Sequence, residues 1–361
     1  MITETKDKKG EIFAGIDTHR DTNAIATCDA FGTILSTAEF STTKAGTKKL
    51  ISWLFSQGTV GAVGIECTGS YGKNVACAFQ GMKVLVLEIT RPVKKDRRSK
   101  GKSDTLDAQN AAQSARDYIF GGSRESNACV AKDRTSELEE IRTVKSTYDS
   151  AIKMRTQSIN ELKAVVVGAP DSIRESLRDL TITKLVQKCA RFHIDTNKHE
   201  NIVKAVLKGL AQRILSLDEE IASYKEILDS FANKHLTHLL SIRQVGTISA
   251  IQILLSAGTN IDRFKNEAAF AAYCGVSPVP ASSGMHAKMR LSRAGDRQAN
   301  SVFHMIAIGR MGHDADTKEY VKKRTAEGKS KKDIIRCLKR YIAREAFRRL
   351  KQDLKNFQIA S

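Results

Sequence analysis

Aromatic side chains are scarce in this chain: they make up 6% of its 361 residues, and one of them is tryptophan. That scarcity disfavours a surface built on stacking bases against rings. No stretch is long and apolar enough to cross a bilayer, and the opening ten residues, Met1 to Gly10, carry no apolar core of a secretion signal. A cytosolic protein without a membrane partner is expected. Cys-x-x-Cys spacing is also missing. The seven cysteines (Cys28, Cys67, Cys77, Cys129, Cys189, Cys274 and Cys337) are scattered, with no paired spacing to the eight dispersed histidines. They read as reduced, mostly buried thiols. His235 and His238 lie three apart but lack a third ligand. Acids are the minority charge: 59 Lys+Arg against 40 Asp+Glu leaves +19. An excess of that size points to a polyanion, foremost nucleic acid, because neutralising phosphates releases counterions.

The length exceeds one ordinary domain and suggests two domains with a connector. Glu11 to Asp17 is a short apolar strand ending in a carboxylate, and Thr22 to Cys28 is its hairpin partner across Thr18-His-Arg-Asp21. A turn at Asp29 to Gly32 leads into a third strand, Gly32 to Glu39. Lys44 to Gln57 follows as an amphipathic helix carrying Leu50, Ile51, Trp53, Leu54 and Phe55. A fourth strand, Ala62 to Glu66, is closed by Cys-Thr-Gly-Ser-Tyr-Gly before a helix over Lys73 to Gln80. The fifth strand is expected at Lys83 to Leu87. Three strands in a meander, then helix, strand, helix, strand, helix, is the element order of an α/β ribonuclease-H-like fold.

The stretch Lys100 to Ala115 supplies the last of these helices: a basic lead-in, then Asp104-Thr-Leu-Asp107 opening an Ala-rich run. Carboxylates three apart share one helix face and can grip a divalent cation, or merely cap the helix and complement its dipole. Asp17 and Glu66 tilt the choice. Each ends an apolar strand, and ligands of open α/β sheets bind at such carboxyl ends. In this fold the first and fourth strands are neighbours, so both acids would converge with the helical pair. Four carboxylates in one pocket repel one another and need cations to stay ionised. Metal-dependent phosphodiester chemistry follows.

Gly15-Ile-Asp17, Gly64-Ile-Glu66-Cys-Thr-Gly-Ser-Tyr-Gly72 and Lys102-Ser-Asp104-Thr-Leu-Asp107-Ala108 together resemble the DEDD-tetrad transposases of bacterial insertion sequences, recombinases with a RuvC-like first domain whose elements also encode a bridging RNA. The resemblance implies that Asp17, Glu66, Asp104 and Asp107 are catalytic and bind Mg²⁺, with Mn²⁺ as the substitute. It also implies donor and target DNA as substrates, a structured guide RNA as partner, and action in the bacterial cytoplasm on nucleoid DNA. The actin and sugar-kinase ATPases share the fold but want a Gly-rich phosphate loop after the first acid, which Thr18-His-Arg-Asp21 is not.

Beyond Asp133 the alternation ends. Leu138, Ile141, Tyr148, Ile152, Ile159, Leu162 and Val166 fall on heptad a and d positions, interrupted by Lys145 and Arg155, and Pro170 stops the helix. Ile173 to Asn201 reads as shorter helices or a loop. A second helix carries Leu207, Leu210, Ile214, Leu217, Ile221, Tyr224, Leu228 and Phe231 in an unbroken seam. It closes either an antiparallel hairpin on itself or a homo-oligomer, dimer or tetramer; the resemblance favours the second.

Leu239 to Leu255 resembles a helix-hairpin-helix, with Gln244 where the first turn glycine is usual; such a turn either presents amides to a phosphate or simply joins packed helices. Phe264 to Tyr273 reads as a helix. The loop Cys274 to Arg297 carries two prolines, Ser282-Ser283-Gly284 and several basic residues, so it cannot be core. By the resemblance it holds the catalytic serine, Ser283 matching and Ser282 lying one residue off, with Lys288, Arg290 and Arg293 on the nucleic-acid backbone. The tail from Lys322 to Phe357 reads as one basic amphipathic helix, with Ile334, Ile335, Leu338, Ile342, Ala346 and Leu350 on its apolar side, and favours a nucleic-acid contact. The expected organisation is therefore 1–125 ribonuclease-H-like catalytic domain, 130–236 coiled-coil connector and oligomerisation element, and 237–361 mainly α domain with the serine loop and basic tail. The alternatives are a Holliday-junction-type endonuclease that uses the tetrad with water, and a non-catalytic nucleic-acid-binding protein, which would be expected to have lost one of the acids.

Overall fold

The computed structural model describes residues 11–66, 68, 71–89, 104–121, 128–133, 136–194, 200–280, 289–291 and 295–359. The chain divides into two compact units, one of Met1–Arg134 with Gly258–Lys265, the other of Thr135–Ala257 with Asn266–Ser361.

The first unit is a six-stranded mixed sheet in the order β3-β2-β1-β4-β5-β6. Its strands are β1 (Glu11–Thr18), β2 (Thr22–Cys28), β3 (Ile34–Ser41), β4 (Thr59–Glu66), β5 (Val86–Ile89) and β6 (Ala128–Val130). The first three form the antiparallel meander; β4 runs parallel to β1, and β5 parallel to β4. This mixed sheet beside a mainly helical remainder is the ribonuclease-H-like architecture that the element order predicts. Side-chain alternation divides the core into two layers. Ile12, Ala14, Ile16, Val63 and Ile65 face α1 (Lys44–Gln57) and α2 (Lys73–Gly81) through Leu50, Leu54 and Phe79. Phe13, Ala62, Leu87 and Ile89 face α3 (Asp104–Gly121) through Ala111, Ala112 and Ala115.

Two details differ from the sequence reading. The fifth strand starts later, at Val86, because Met82 and Lys83 close α2: their amides donate to the Phe79 and Gln80 carbonyls, and Lys83 takes φ 57°, which no strand accommodates. The edge strand β6, antiparallel to β5, was not anticipated; three residues carry too little alternation to be seen.

In the second unit α4 (Ser136–Val167) and α7 (Glu200–His235) form a long antiparallel hairpin. Its direction shows in three ion pairs, Glu137 with His235, Arg155 with Asp218 and Glu161 with Arg213. Leu138, Ile141, Tyr148 and Leu162 are buried on α4, and Leu207, Ile214, Leu217, Leu228 and Phe231 on α7. The α7 stripe, whose heptads fit a hairpin or a subunit seam equally, thus packs on α4 of the same chain. Lys145, which interrupts the heptads, is buried and donates to Asp149 one turn on, at 2.5 Å. Two short helices, α5 (Asp171–Leu177) and α6 (Ile182–Ala190), follow where the sequence fits shorter helices or a loop, and pack Ile173, Leu177, Leu185 and Val186 over the end of the hairpin.

The remaining helices are α8 (Thr237–Leu240), α9 (Thr247–Ala257), α10 (Glu267–Tyr273), α11 (Arg297–His313), α12 (Ala315–Ala326) and α13 (Lys331–Ile359). Between α8 and α9, Gln244 adopts φ 64°, the left-handed conformation for which a glycine is usual. The helix expected from Phe264 begins only at Glu267, where the Asn266 side chain accepts from the Ala269 amide as N-cap. The basic tail is two helices rather than one, broken where Gly328 takes φ 79° after Glu327. Ile334, Leu338, Ile342, Ala346 and Leu350 of α13 are buried.

Candidate active site

The repeated pattern Gly-Ile-acid has a geometric meaning. β1 and β4 are paired in parallel with Gly15 beside Gly64 and Ile16 beside Ile65, which sets Asp17 next to Glu66 at the strand ends. Alternation sends both isoleucines into the α1–α2 layer and both glycines and acids to the α3 face. The glycines let α3 lie against the sheet: a Cβ on Gly64 would stand 2.6 Å from the Ala111 carbonyl oxygen. With alanines on the facing side, α3 sits low enough that its first turn brings the charges of Asp104 and Asp107 to bear on Asp17.

Asp17 and Asp107 are buried, Glu66 is half-buried and Asp104 is exposed. The Asp17 carboxyl lies above its usual range; burial is the main cause, His19 opposes it, and the negative charges of Asp107 and Asp104 push it further up. A hydroxyl from Thr18 donates to the Glu66 carbonyl at 3.1 Å and ties the two strand ends together.

His19 joins the site without having been singled out in the sequence. Its Nε2 lies 3.1 Å from an Asp17 carboxylate oxygen and 3.2 Å from one of Asp104. Ligand atoms of Asp17, His19 and Asp104 all fall within 4.8 Å of one another, a grouping able to hold a metal ion. The only sequence signal was its place two residues past the strand-end acid, in a hairpin turn that looked like a connection.

The donor set fits a hard divalent cation. Carboxylate oxygens suit Mg²⁺ and Mn²⁺, an imidazole nitrogen adds tolerance for Mn²⁺, and a cation would offset the burial and the like charges that raise Asp17.

The second unit holds the stem of the serine loop. β7 (Pro278–Pro280) pairs antiparallel with β8 (Met289–Leu291), Val279 opposite Arg290. Below it the Asp296 amide donates to the Tyr273 carbonyl at 2.8 Å, and the Asn300 side chain to the Gly275 carbonyl at 2.7 Å. Buried Lys339 donates in turn to Asn300 at 2.5 Å, and burial lowers its pKa. Ser282, Ser283, Lys288 and Arg293 lie outside the described residues; Arg290 is placed by its backbone alone.

Two family models match the sequence. One, a transposase model of the IS110 DEDD type, spans residues 14–169 and contains all four acids. The other, described as Transposase IS116/IS110/IS902 family, spans residues 236–322 and contains the serine loop. No curated protein matches the chain.

Proposed function

We propose, for a chain that belongs to the IS110 family of insertion-sequence transposases and so acts as a DNA transposase, a metal-dependent strand transfer through a serine. The observation that supports the metal half is that ligand atoms of Asp17, His19 and Asp104 lie within 4.8 Å of one another, with the Asp107 charge acting on Asp17 and Glu66 ending the neighbouring parallel strand. These acids would hold Mg²⁺, or Mn²⁺ in its place. When bound, the cation supplies positive charge against the scissile phosphate. His19 bridges Asp17 and Asp104 and keeps their carboxylates oriented.

Ser283 is the nucleophile in this reading. Its Oγ bonds to the phosphorus, the bond from phosphorus to one bridging oxygen breaks, the serine proton leaves to solvent, and the departing strand oxygen is protonated. The phosphoserine link conserves the phosphodiester for rejoining, which a recombinase needs and a nuclease does not. Lys288, Arg290 and Arg293 hold the adjoining backbone.

The net charge of +19 with few aromatics supports a protein that grips backbones while a structured RNA reads sequence by pairing. Holding donor and target DNA together calls for a homo-oligomer, dimer or tetramer, working on nucleoid DNA.

The test is recombination and adduct formation on a nicked substrate. Asp107→Asn preserves shape while removing a charge, so it should abolish recombination and leave DNA binding intact. Wild type should yield protein covalently joined to DNA, and Ser283→Ala should not. Adducts that persist in Ser283→Ala but vanish in Ser282→Ala move the role one residue back. Cleavage by wild type with no adduct favours hydrolysis by water, and site-specific recombination by RNA-free protein rejects the guide.

A further inference from the structure

Two cavities along α13, of about 650 and 640 Å³, share Tyr341 and Arg344 in their walls and so form one groove. Six cationic side chains and one carboxylate, Asp333, line the second cavity. That acid is taken by Arg336 at 2.6 Å. In the first cavity Glu345 is engaged by Arg310 at 2.9 Å. Arg344 and Arg348 both lean on Glu267. Arg324 is held by Glu327 at 2.5 Å, so among the described residues Lys329, Lys332, Arg340 and Arg349 are left with no acidic partner. Such a concentration of uncompensated charge is unfavourable in the free protein and is relieved by a polyanion.

One aromatic ring stands in this charge. Tyr341 is 56% exposed although the apolar side of its helix is well buried, and its ring meets Tyr320 edge-on, with centroids 6.3 Å apart and planes at 88°. Arg340 precedes it and Arg344 lies three residues on, one helical turn away. The chain as a whole is too poor in aromatics for an extended stacking platform, but a single base needs a single ring.

We propose that this groove binds an unpaired DNA strand, with phosphates on Lys329, Lys332 and Arg340 and one base stacked on Tyr341. A duplex hides its base faces, so an exposed ring among arginines gains only from an unpaired strand. The choice of DNA rests on the strand-transfer reading above, in which DNA strands are cut and leave their partners before rejoining.

The experiment is fluorescence anisotropy of full-length protein with 5′-labelled oligothymidylate on the order of ten nucleotides long, the scale of one single-strand site. A duplex of the same length and oligouridylate are run beside it, all with chelator present. Tyr341→Ala should weaken single-strand binding about tenfold, within the range of one stacked base, and leave duplex binding nearly unchanged. Arg340→Gln should lower the slope of log affinity against log salt by about 0.7, one phosphate's share on a single strand. Circular dichroism melts of both variants should match wild type, since neither side chain is core; Tyr341→Phe, which keeps a ring, should restore binding. Unchanged single-strand affinity in both variants overturns the proposal. So does an equal loss on duplex, which would mean charge without stacking, or a larger loss on oligouridylate, which would make RNA the occupant. Without divalent cation only binding is read, so failure here leaves the tetrad experiment standing, and failure of the tetrad leaves this one.

Discussion

Gly15 of β1 lies so close to Ala108 of α3 that a Cβ added to the glycine would stand 2.1 Å from the Ala108 carbonyl oxygen. The contact is backbone to backbone, so no side-chain rotation can relieve it. It sets the height at which α3 crosses the sheet, and with it the reach of Asp104 and Asp107 toward Asp17.

Gly15→Ala should therefore do two separate things. Overpacking of this kind costs about 1–3 kcal/mol, and the displaced helix should weaken Mg²⁺ or Mn²⁺ binding even where the protein remains folded. Denaturant unfolding and calorimetric metal titration check the two effects. Gly209, exposed in the interior of α7 with nothing near its missing Cβ, is the control: Gly209→Ala should stabilise by about 0.5–1 kcal/mol. Metal binding by Gly15→Ala equal to wild type would show that the close approach does not set the site.

Asp17 gives the proposed metal site a pH dependence. Its carboxyl is held above the ordinary value of 3.8, chiefly by burial, so the metal-free native state keeps this proton to higher pH than the unfolded chain does. The group's contribution to stability is present below 3.8 and is lost as pH rises through the raised value. A bound cation favours the ionised form, so metal binding should release protons at mildly acidic pH and tighten as pH rises. Calorimetry in buffers of differing ionisation enthalpy reads the release. Asp17→Asn should stabilise the metal-free protein at neutral pH and abolish the thermal shift caused by Mg²⁺; a retained shift would remove Asp17 from the site.

The α4–α7 hairpin makes its own prediction. Ile214 is fully buried in it, and Ile214→Ala should cost about 2–5 kcal/mol. Because α4 of the same chain covers the stripe, the unfolding midpoint followed by circular dichroism should not move across a tenfold range of protein concentration. A midpoint that rises with concentration would place the stripe between subunits.

Asp353 anchors the end of α13. Its buried carboxylate accepts from the His238 amide at 2.9 Å, from the Leu239 amide at 3.0 Å and from His238 Nδ1 at 2.8 Å, capping α8 from a distant part of the chain. Asp353→Ala strands those donors and should cost about 2–3 kcal/mol, with amide exchange rising first in α8 and the end of α13. Uniform protection across the unit in that variant would contradict the anchor.

Local pattern alone determined much of this protein. Short apolar runs and turn residues marked the meander and β4, the Gly-Ile-acid repeat put Asp17 and Glu66 at strand ends, and Asp-x-x-Asp at the head of an alanine run marked the helix that carries the other two acids, because each of these signals is written within a few residues. The tail's apolar positions and both arms of the hairpin were legible for the same reason. What faces what was decided only by tertiary structure. Heptad spacing is the same whether a stripe meets its own chain or another, and it took tertiary contacts such as the ion pairs of Arg155 with Asp218, Glu161 with Arg213 and Glu137 with His235 to show α4 covering α7. Gln244 holds a left-handed turn that its type does not advertise, and Lys83 ends a helix where a strand was expected, since packing overrides intrinsic preference at single positions. His19 is the clearest case: nothing in Thr-His-Arg-Asp distinguishes it until pairing of β1 with β2 and the descent of α3 bring Asp17 and Asp104 within hydrogen-bonding reach of one imidazole nitrogen.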